Sequence, residues 1–308
     1  MNKKFIVTGG CGFIGSHLVE KLISNGFKVI VIDDLSTGKL SNLKKNKNLK
    51  IYISKIEDFK FDQIKNVDGV FHLGAQVSVP LSIENFFESS KTNMLSSFKV
   101  ISFCEKNKVP IVYASSSAIY GNLPFGDEQG KIELLSPYAA DKYSMEKYLE
   151  AANKYSKLSS FGLRFFNVYG PRQDPSSQYS GVISIFSNRL NDDKKIFING
   201  GYQTRDFVYV EDVVKCLIKA YKKISKSGCF VCNVLTGESI TIDDLVKKLS
   251  VILNIKPKCI YRKLPLGDPE RSAGNVMLME KLLQINVDNF IKINDGLKKT
   301  IKWEKMKK

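Results

Sequence analysis

Histidine is nearly missing: His17 and His72 are the only two in 308 residues, so a metal centre has few imidazoles to draw on. Six cysteines, at 11, 104, 216, 229, 232 and 259, lack the density and spacing of a disulfide framework. Their one close pair lies in "GCFVCNVL", where a strand would turn Cys229 and Cys232 to opposite faces and away from a shared metal. No apolar run approaches the roughly eighteen residues that span a bilayer. The opening "MNKKFIVTGG" runs into a strand, not a leader. Internal repeats and low-complexity linkers are absent too. A reduced, cytoplasmic, enzyme-sized protein with no membrane segment and no metal is the expectation.

Acidic residues are also in short supply, 31 against 47 Lys and Arg, for a net charge of +16. Such a balance suits nucleic acid or an acidic small molecule. The excess is mostly scattered lysine. Runs such as "LKKNKNLK" and "KKTIKWEKMKK" carry no interleaved aromatics that could stack on bases. No zinc-finger, RNA-recognition or basic-zipper pattern is present. No nucleic-acid partner is expected, and the charge is read as a background that attracts an anionic ligand.

Against these absences stands a regular rhythm. "KFIVTG", "KVIVID", "LKIYIS", "VDGVFHLG" and "VPIVYASS" are short apolar runs, and "GSHLVEKLISNG" between the first two has helical spacing. Continuous apolar strands separated by helices predict an α/β fold, a doubly wound parallel (Rossmann) sheet covered on both faces. Beyond "FGLRFFNVYGPRQD" the rhythm loosens into shorter elements, predicting a smaller α/β substrate-binding lobe. The expected division is residues 1–165 and 166–308, with some later elements rejoining the first lobe.

"VTGGCGFIG" closes the first strand and opens the first helix. Gly10, Gly12 and Gly15 fill a GxGxxG pattern, overlapped by Gly9, Gly12 and Gly15. Glycine there lets the backbone approach a pyrophosphate, whose charge the helix N-terminus meets. The second strand ends in Asp33, eighteen residues past Gly15, where a carboxylate can accept hydrogen bonds from ribose hydroxyls. The same carboxylate repels a 2′-phosphate, and "DDLSTGK" offers no arginine. NAD is therefore expected over NADP.

The fifth strand runs into "YASSSAIYG", and about twenty residues later "SPYAADKYSMEKY" sets Lys142 four residues after Tyr138, on one helical face behind Pro137. With the glycine loop, "HLGAQVSVP", "KTNMLSS", "RFFNVYGPRQDP" and "TRDFVYVEDV", nearly the whole chain resembles the extended short-chain dehydrogenase/reductase family, and within it the nucleotide-sugar 4-epimerases. The resemblance implies a Tyr138 base, a Lys142 that lowers its pKa together with the positive nicotinamide ring and holds the nicotinamide ribose, and a Ser116 hydroxyl on the sugar O4. Ser115 and Ser117 are the rival hydroxyls.

For the cofactor, the resemblance implies contacts from Gly9, Gly12, Phe13, Ile14 and Gly15. Asp33, Asp34, Ser36, Gly38 and Ile56 belong to the adenosine end. Leu73, Gly74, Ala75, Gln76, Asn93, Ser115 and Phe166 join Tyr138 and Lys142 nearer the nicotinamide. For a UDP-sugar it implies Ser78, Ser116, Ser117 and Tyr138 around the hexose, Asn167, Val182 and Phe197 toward the phosphate or uracil, and Arg205 and Arg271 on the diphosphate. Ser272, four residues after Asp268, occupies a position where a bulky tyrosine would crowd an N-acetyl group.

Two positions depart from the family pattern. Pro265 stands where an arginine is usual before the "GD" pair, and Lys55 where an aspartate is usual in the adenine-contacting turn. Ser117 and Ala118 replace the Asp-Glu that 4,6-dehydratases place after the catalytic hydroxyl, so dehydration is not expected. The expected activity is 4-epimerisation of UDP-glucose and UDP-galactose, and of their N-acetylated counterparts, by transient C4 oxidation with tightly bound NAD. UDP-glucuronate decarboxylation is the alternative chemistry, and a cofactor-binding regulator the alternative class. Helices near 85–106 and 137–156 hold the positions that pair in related enzymes, which predicts a homodimer.

Overall fold

The computed structural model describes residues 3–175, 181–224, 228–264 and 268–307. The chain opens with β1 (Lys4–Thr8), α1 (Phe13–Ser24), β2 (Lys28–Asp33), β3 (Leu49–Ile53) and β4 (Gly69–His72). Then come α2 (Val79–Glu84), α3 (Phe86–Asn107), β5 (Ile111–Ser116), α4 (Pro137–Ser156) and β6 (Ser160–Phe165). A second run follows: β7 (Asn167–Tyr169), α5 (Val182–Asn191), β8 (Ile196–Asn199), β9 (Thr204–Tyr209), α6 (Val210–Ile224) and β10 (Cys229–Val234). The last elements are β11 (Ser239–Thr241), α7 (Ile242–Leu253), β12 (Cys259–Arg262), α8 (Met277–Leu283) and α9 (Ile293–Lys307).

The main sheet has seven strands in the order β10-β6-β5-β4-β1-β2-β3, every pairing parallel. Alternation along β1 shows why both faces are covered. Phe5 and Val7 enter a core with Leu18, Val19 and Leu22 of α1 and Val213, Leu217 and Tyr221 of α6. Ile6 points the other way, into a core with Val100 and Cys104 of α3 and Met145 and Leu149 of α4. The strand order reverses between β1 and β4, so a crevice opens beyond their carboxyl ends, the place where doubly wound sheets bind ligands.

The smaller lobe combines a three-stranded sheet, β11-β9-β7, with the parallel pair β12-β8. Tyr169, Phe186, Phe207, Leu245, Leu249 and Leu297 form its separate core. After β9 the chain returns through α6 to the first core and adds β10 beside β6. Among the described residues no helix is long and apolar enough to cross a membrane.

Candidate active site

The glycine loop is packed too closely for side chains. Gly9 has φ +68°, and a Cβ there would fall 2.7 Å from the Gly74 Cα; one at Gly15 would fall 2.0 Å from the Gly9 carbonyl oxygen. The loop, α1 and the turn after β4 are thus in backbone contact. Gly12 caps α1 without a side-chain hydrogen bond, and the first turn has no acid, so its N–H groups stay open to an anion. Asp33 accepts from the Cys11 and Leu35 amides, both at 2.9 Å, and binds the end of β2 to the loop. Burial pushes its carboxyl above the usual range, against the pull of those amides. Asp34 accepts from the Ser36 amide and hydroxyl at 3.0 and 2.7 Å, and Gly38 passes so close that a Cβ would meet Asp33 Oδ1 at 2.8 Å. Lys55 is exposed, beside a half-buried Ile56.

The turn after β4 is held from both sides. Thr8 Oγ1 accepts from the Leu73 and Gly74 amides at 3.2 and 3.3 Å, beside a half-buried Ala75. Asn93, buried on α3, receives the Gln76 amide at 2.8 Å, donates to the Gln76 carbonyl at 3.1 Å and reaches Asp141 Oδ2 at 3.1 Å. Ser78 caps α2 by accepting from the Leu81 amide at 3.1 Å. An adenosine-sized acid at one end, a side-chain-free pyrophosphate cradle and this pinned turn fit a dinucleotide.

Pro137 starts α4, with Ser136 as N-cap accepting from the Ala139 amide at 3.2 Å. This entry fixes Tyr138, whose own amide donates to Ser82 Oγ at 3.2 Å. One turn on, Lys142 sets its Nζ 5.8 Å from the Tyr138 ring centroid and donates to the Ala114 carbonyl at 3.0 Å. Both side chains are buried. Ser116, the last residue of β5, accepts from the Ala118 amide at 3.1 Å, and its hydroxyl lies near enough to pull on the Tyr138 phenol. The neighbouring hydroxyls differ. Ser115 donates away from the site to Glu146 Oε1 at 2.5 Å, and Ser117 lies half-buried in the short turn that follows.

Burial pushes the Tyr138 phenol above its ordinary value; the Ser116 hydroxyl pulls it down and Asp141 pushes it further up. Burial brings Lys142 down to about 8, with Asp141 opposing. The protein alone therefore keeps the phenol protonated, because the desolvation penalty on a phenolate outweighs what the pocket's polar groups return.

In the smaller lobe Phe166 is buried and donates its amide to the Val234 carbonyl at 3.1 Å, while Asn167 Nδ2 donates to the Asp206 carbonyl at 3.1 Å. Val182 opens α5. Phe197 lies under the Arg262 guanidinium, 3.9 Å from its ring centroid, with Arg189 at 5.3 Å. Arg205 is engaged, donating to the Pro269 carbonyl at 2.7 Å and to Asp268. Arg271 is exposed, and Ser272 is pinned through its amide to the Thr204 carbonyl at 3.2 Å and through its carbonyl to Ser239 Oγ at 2.9 Å. Pro265 lies outside the described residues. Sequence reading missed Ser82, Asp141, Glu146, Arg164 and Arg262. The available signal was the spacing 138-142-146, which puts Glu146 on the Tyr138 and Lys142 face of α4.

Residues 5–233, from β1 into β10, match the NAD dependent epimerase/dehydratase family. The chain belongs to that family. It is accordingly an NAD-dependent enzyme, and the side-chain-free loop around Gly9, Gly15 and Gly74 fits that cofactor. A putative UDP-glucose 4-epimerase of Methanocaldococcus jannaschii is 35% identical over 97% of this chain and 98% of that protein. Two solved structures superpose on the fold end to end. The UDP-N-acetylglucosamine 4-epimerase of Methanobrevibacter ruminantium, in complex with UDP-N-acetylmuramic acid, gives a TM-score of 0.94 at 35% identity, covering 100% and 99% of the two chains. The UDP-glucose 4-epimerase of Thermotoga maritima with UDP-glucose gives 0.92 at 36% identity, with 99% of each covered. Arg271 and Ser272 lie past the residues matched by the family.

Proposed function

We propose that this chain is a UDP-sugar 4-epimerase whose Ser116, Tyr138 and Lys142 act on the sugar O4. The observation that carries the reading is the Tyr138 phenol, buried at the carboxyl end of the sheet beside the Ser116 hydroxyl and one helical turn from Lys142. Bound NAD supplies reversible hydride acceptance at C4, and returning the hydride to the opposite face inverts that centre. Tyr138 takes the O4 proton during oxidation and gives it back during reduction. Ser116 donates to and accepts from O4 along that path. Lys142 stays cationic below about pH 8 and favours the phenolate against the burial that raises its pKa; an oxidised nicotinamide held beside it would act in the same direction.

The smaller lobe holds the UDP part in this reading, with Arg271 free to meet the diphosphate. Arg205 keeps Asp268 and Pro269 in place and so orders the segment that carries Arg271 and Ser272. Arginine suits a diphosphate because its fork makes parallel charge-assisted bonds. Ser272, fixed by its backbone, leaves room beside the hexose, and similarity to an enzyme named for UDP-N-acetylglucosamine supports the same substrate class. UDP-glucose, UDP-galactose and their N-acetylated counterparts are therefore the proposed substrates. The protein works as a homodimer through α3 and α4.

Mass spectrometry and proton NMR on incubations with a panel of UDP-sugars test this. Interconversion of both pairs is expected, with Ser272→Tyr suppressing the acetylated pair alone. Carbon dioxide released from UDP-glucuronate, with no epimer formed from any sugar, would replace the reading by decarboxylation.

A further inference from the structure

Behind the Ser116 side of the site lies a buried polar unit that the chemistry above does not use. Glu146, on α4 one turn past Lys142, accepts from Ser115 Oγ at 2.5 Å and from Arg164 Nε and Nη2 at 3.0 and 2.7 Å. Arg164 Nη1 donates to Tyr120 Oη at 2.9 Å, and that hydroxyl donates to Asn233 Oδ1 at 2.7 Å. All five side chains are buried. Hydrophobic residues in place of a buried ion pair are often as stable or more so, since two charges must be stripped of water. Stability is thus a weak reason for this unit to be here.

Its placement gives a better one. Ser115 and Tyr120 flank Ser116 directly before and four residues after, and both are bound to the same Glu146–Arg164 pair. Glu146 stands on α4, the helix that carries Tyr138 and Lys142, and Arg164 on β6, which pairs with β5. The chain around the hydroxyl that must meet the phenol is therefore tied to α4 directly through Ser115 and, on the Tyr120 side, by way of Arg164. Hydrogen bonds tolerate only a few tenths of an ångström before they weaken. We propose that Glu146, Arg164 and Tyr120 form a positioning unit that holds the Ser116 hydroxyl in register with Tyr138.

The inference rests on the reading of Ser116 and Tyr138 as the acting pair, and the test separates the two. Tyr120→Phe removes one link and no charge. It lowers kcat by roughly 10- to 100-fold, the range expected for a small misplacement, while KM for the UDP-sugar and NAD retention stay unchanged. In a Ser116→Ala background the same change costs nothing further, because the unit acts only through that hydroxyl. Full additivity of the two losses would mean general loosening of the site and overturns the proposal. The charge-neutral pair E146L/R164M leaves no orphaned ion; it folds and reproduces the kcat loss at unchanged KM, and wild-type kcat in it equally overturns the proposal. Should that pair fail to fold, the Tyr120→Phe cycle decides alone. Tyr138→Phe belongs in the same series, since turnover surviving that change would defeat the underlying reading instead.

Discussion

Lys142 is a side chain the fold holds at a cost. Its folded pKa of about 8 lies below the 10.5 of an exposed lysine, so at neutral pH a buried charge is kept that the unfolded chain would carry more cheaply. The sign follows: the unfolded chain binds more protons between those values, and stability rises with pH across that window. Lys142→Met should abolish turnover yet raise the stability of the cofactor-free protein at pH 7 by up to about 3 kcal/mol, less the lost bond to Ala114. Thermal unfolding of the stripped proteins checks this. His72 works in the acid range. Burial, helped by Lys142, brings it down to about 3, so the folded state keeps it neutral while the unfolded chain takes up a proton below its ordinary 6.5. Stability should therefore fall by up to about 1.4 kcal/mol per pH unit on acidification below 6.5. Urea midpoints from pH 7 to 5 measure it, and His72→Gln should flatten the slope.

At the scale of elements, the β1-loop-α1-β2 unit is the part that depends most on absent side chains. Gly15→Ala would drive a Cβ into the Gly9 carbonyl, and either the loop or α1 must move. Loss of NAD binding with a fold that still unfolds cooperatively is expected, read by cofactor retention on gel filtration and by circular dichroism. This unit was also the most legible in sequence, because its signals are local: an apolar run, glycines at fixed offsets, an acid at the next strand end. α4 was legible for the same reason, from Pro137 through the Tyr138 and Lys142 spacing. The three-residue strands β7 and β11 and the short pair β8-β12 were not, since such pieces are defined by partners far along the chain. In the serine cluster, counting back from Tyr120 and Gly121 singled out Ser116, and the structure adds that Ser115 is drawn away to Glu146. The desolvation of the phenol, which opposes the lowering expected from Lys142 and the nicotinamide ring together, was invisible in sequence.

For the whole molecule, α3 and α4 leave an apolar surface without a partner in one chain. Leu95, Phe98, Tyr148 and Tyr155 are exposed, and Phe98 and Tyr148 meet edge to face at 4.9 Å. Exposed apolar side chains on two packed helices are what a two-fold interface covers. Sedimentation at micromolar protein should give a dimer, and Phe98→Glu with Tyr148→Glu a folded monomer. A monomeric wild type would remove the homodimer from the reading.

Because β10 completes the main sheet from residues 229–234, β6, whose side chains are all buried, gains its outer neighbour only after the smaller lobe's first strands have been made. On a ribosome adding about 5–20 residues per second, the 64 residues from 165 to 229 take roughly 3–13 s. Throughout that interval the nascent chain carries an unpaired apolar strand edge. Translation of this middle stretch is when a chaperone, or a pause in the wrong place, would decide whether the polypeptide folds or aggregates.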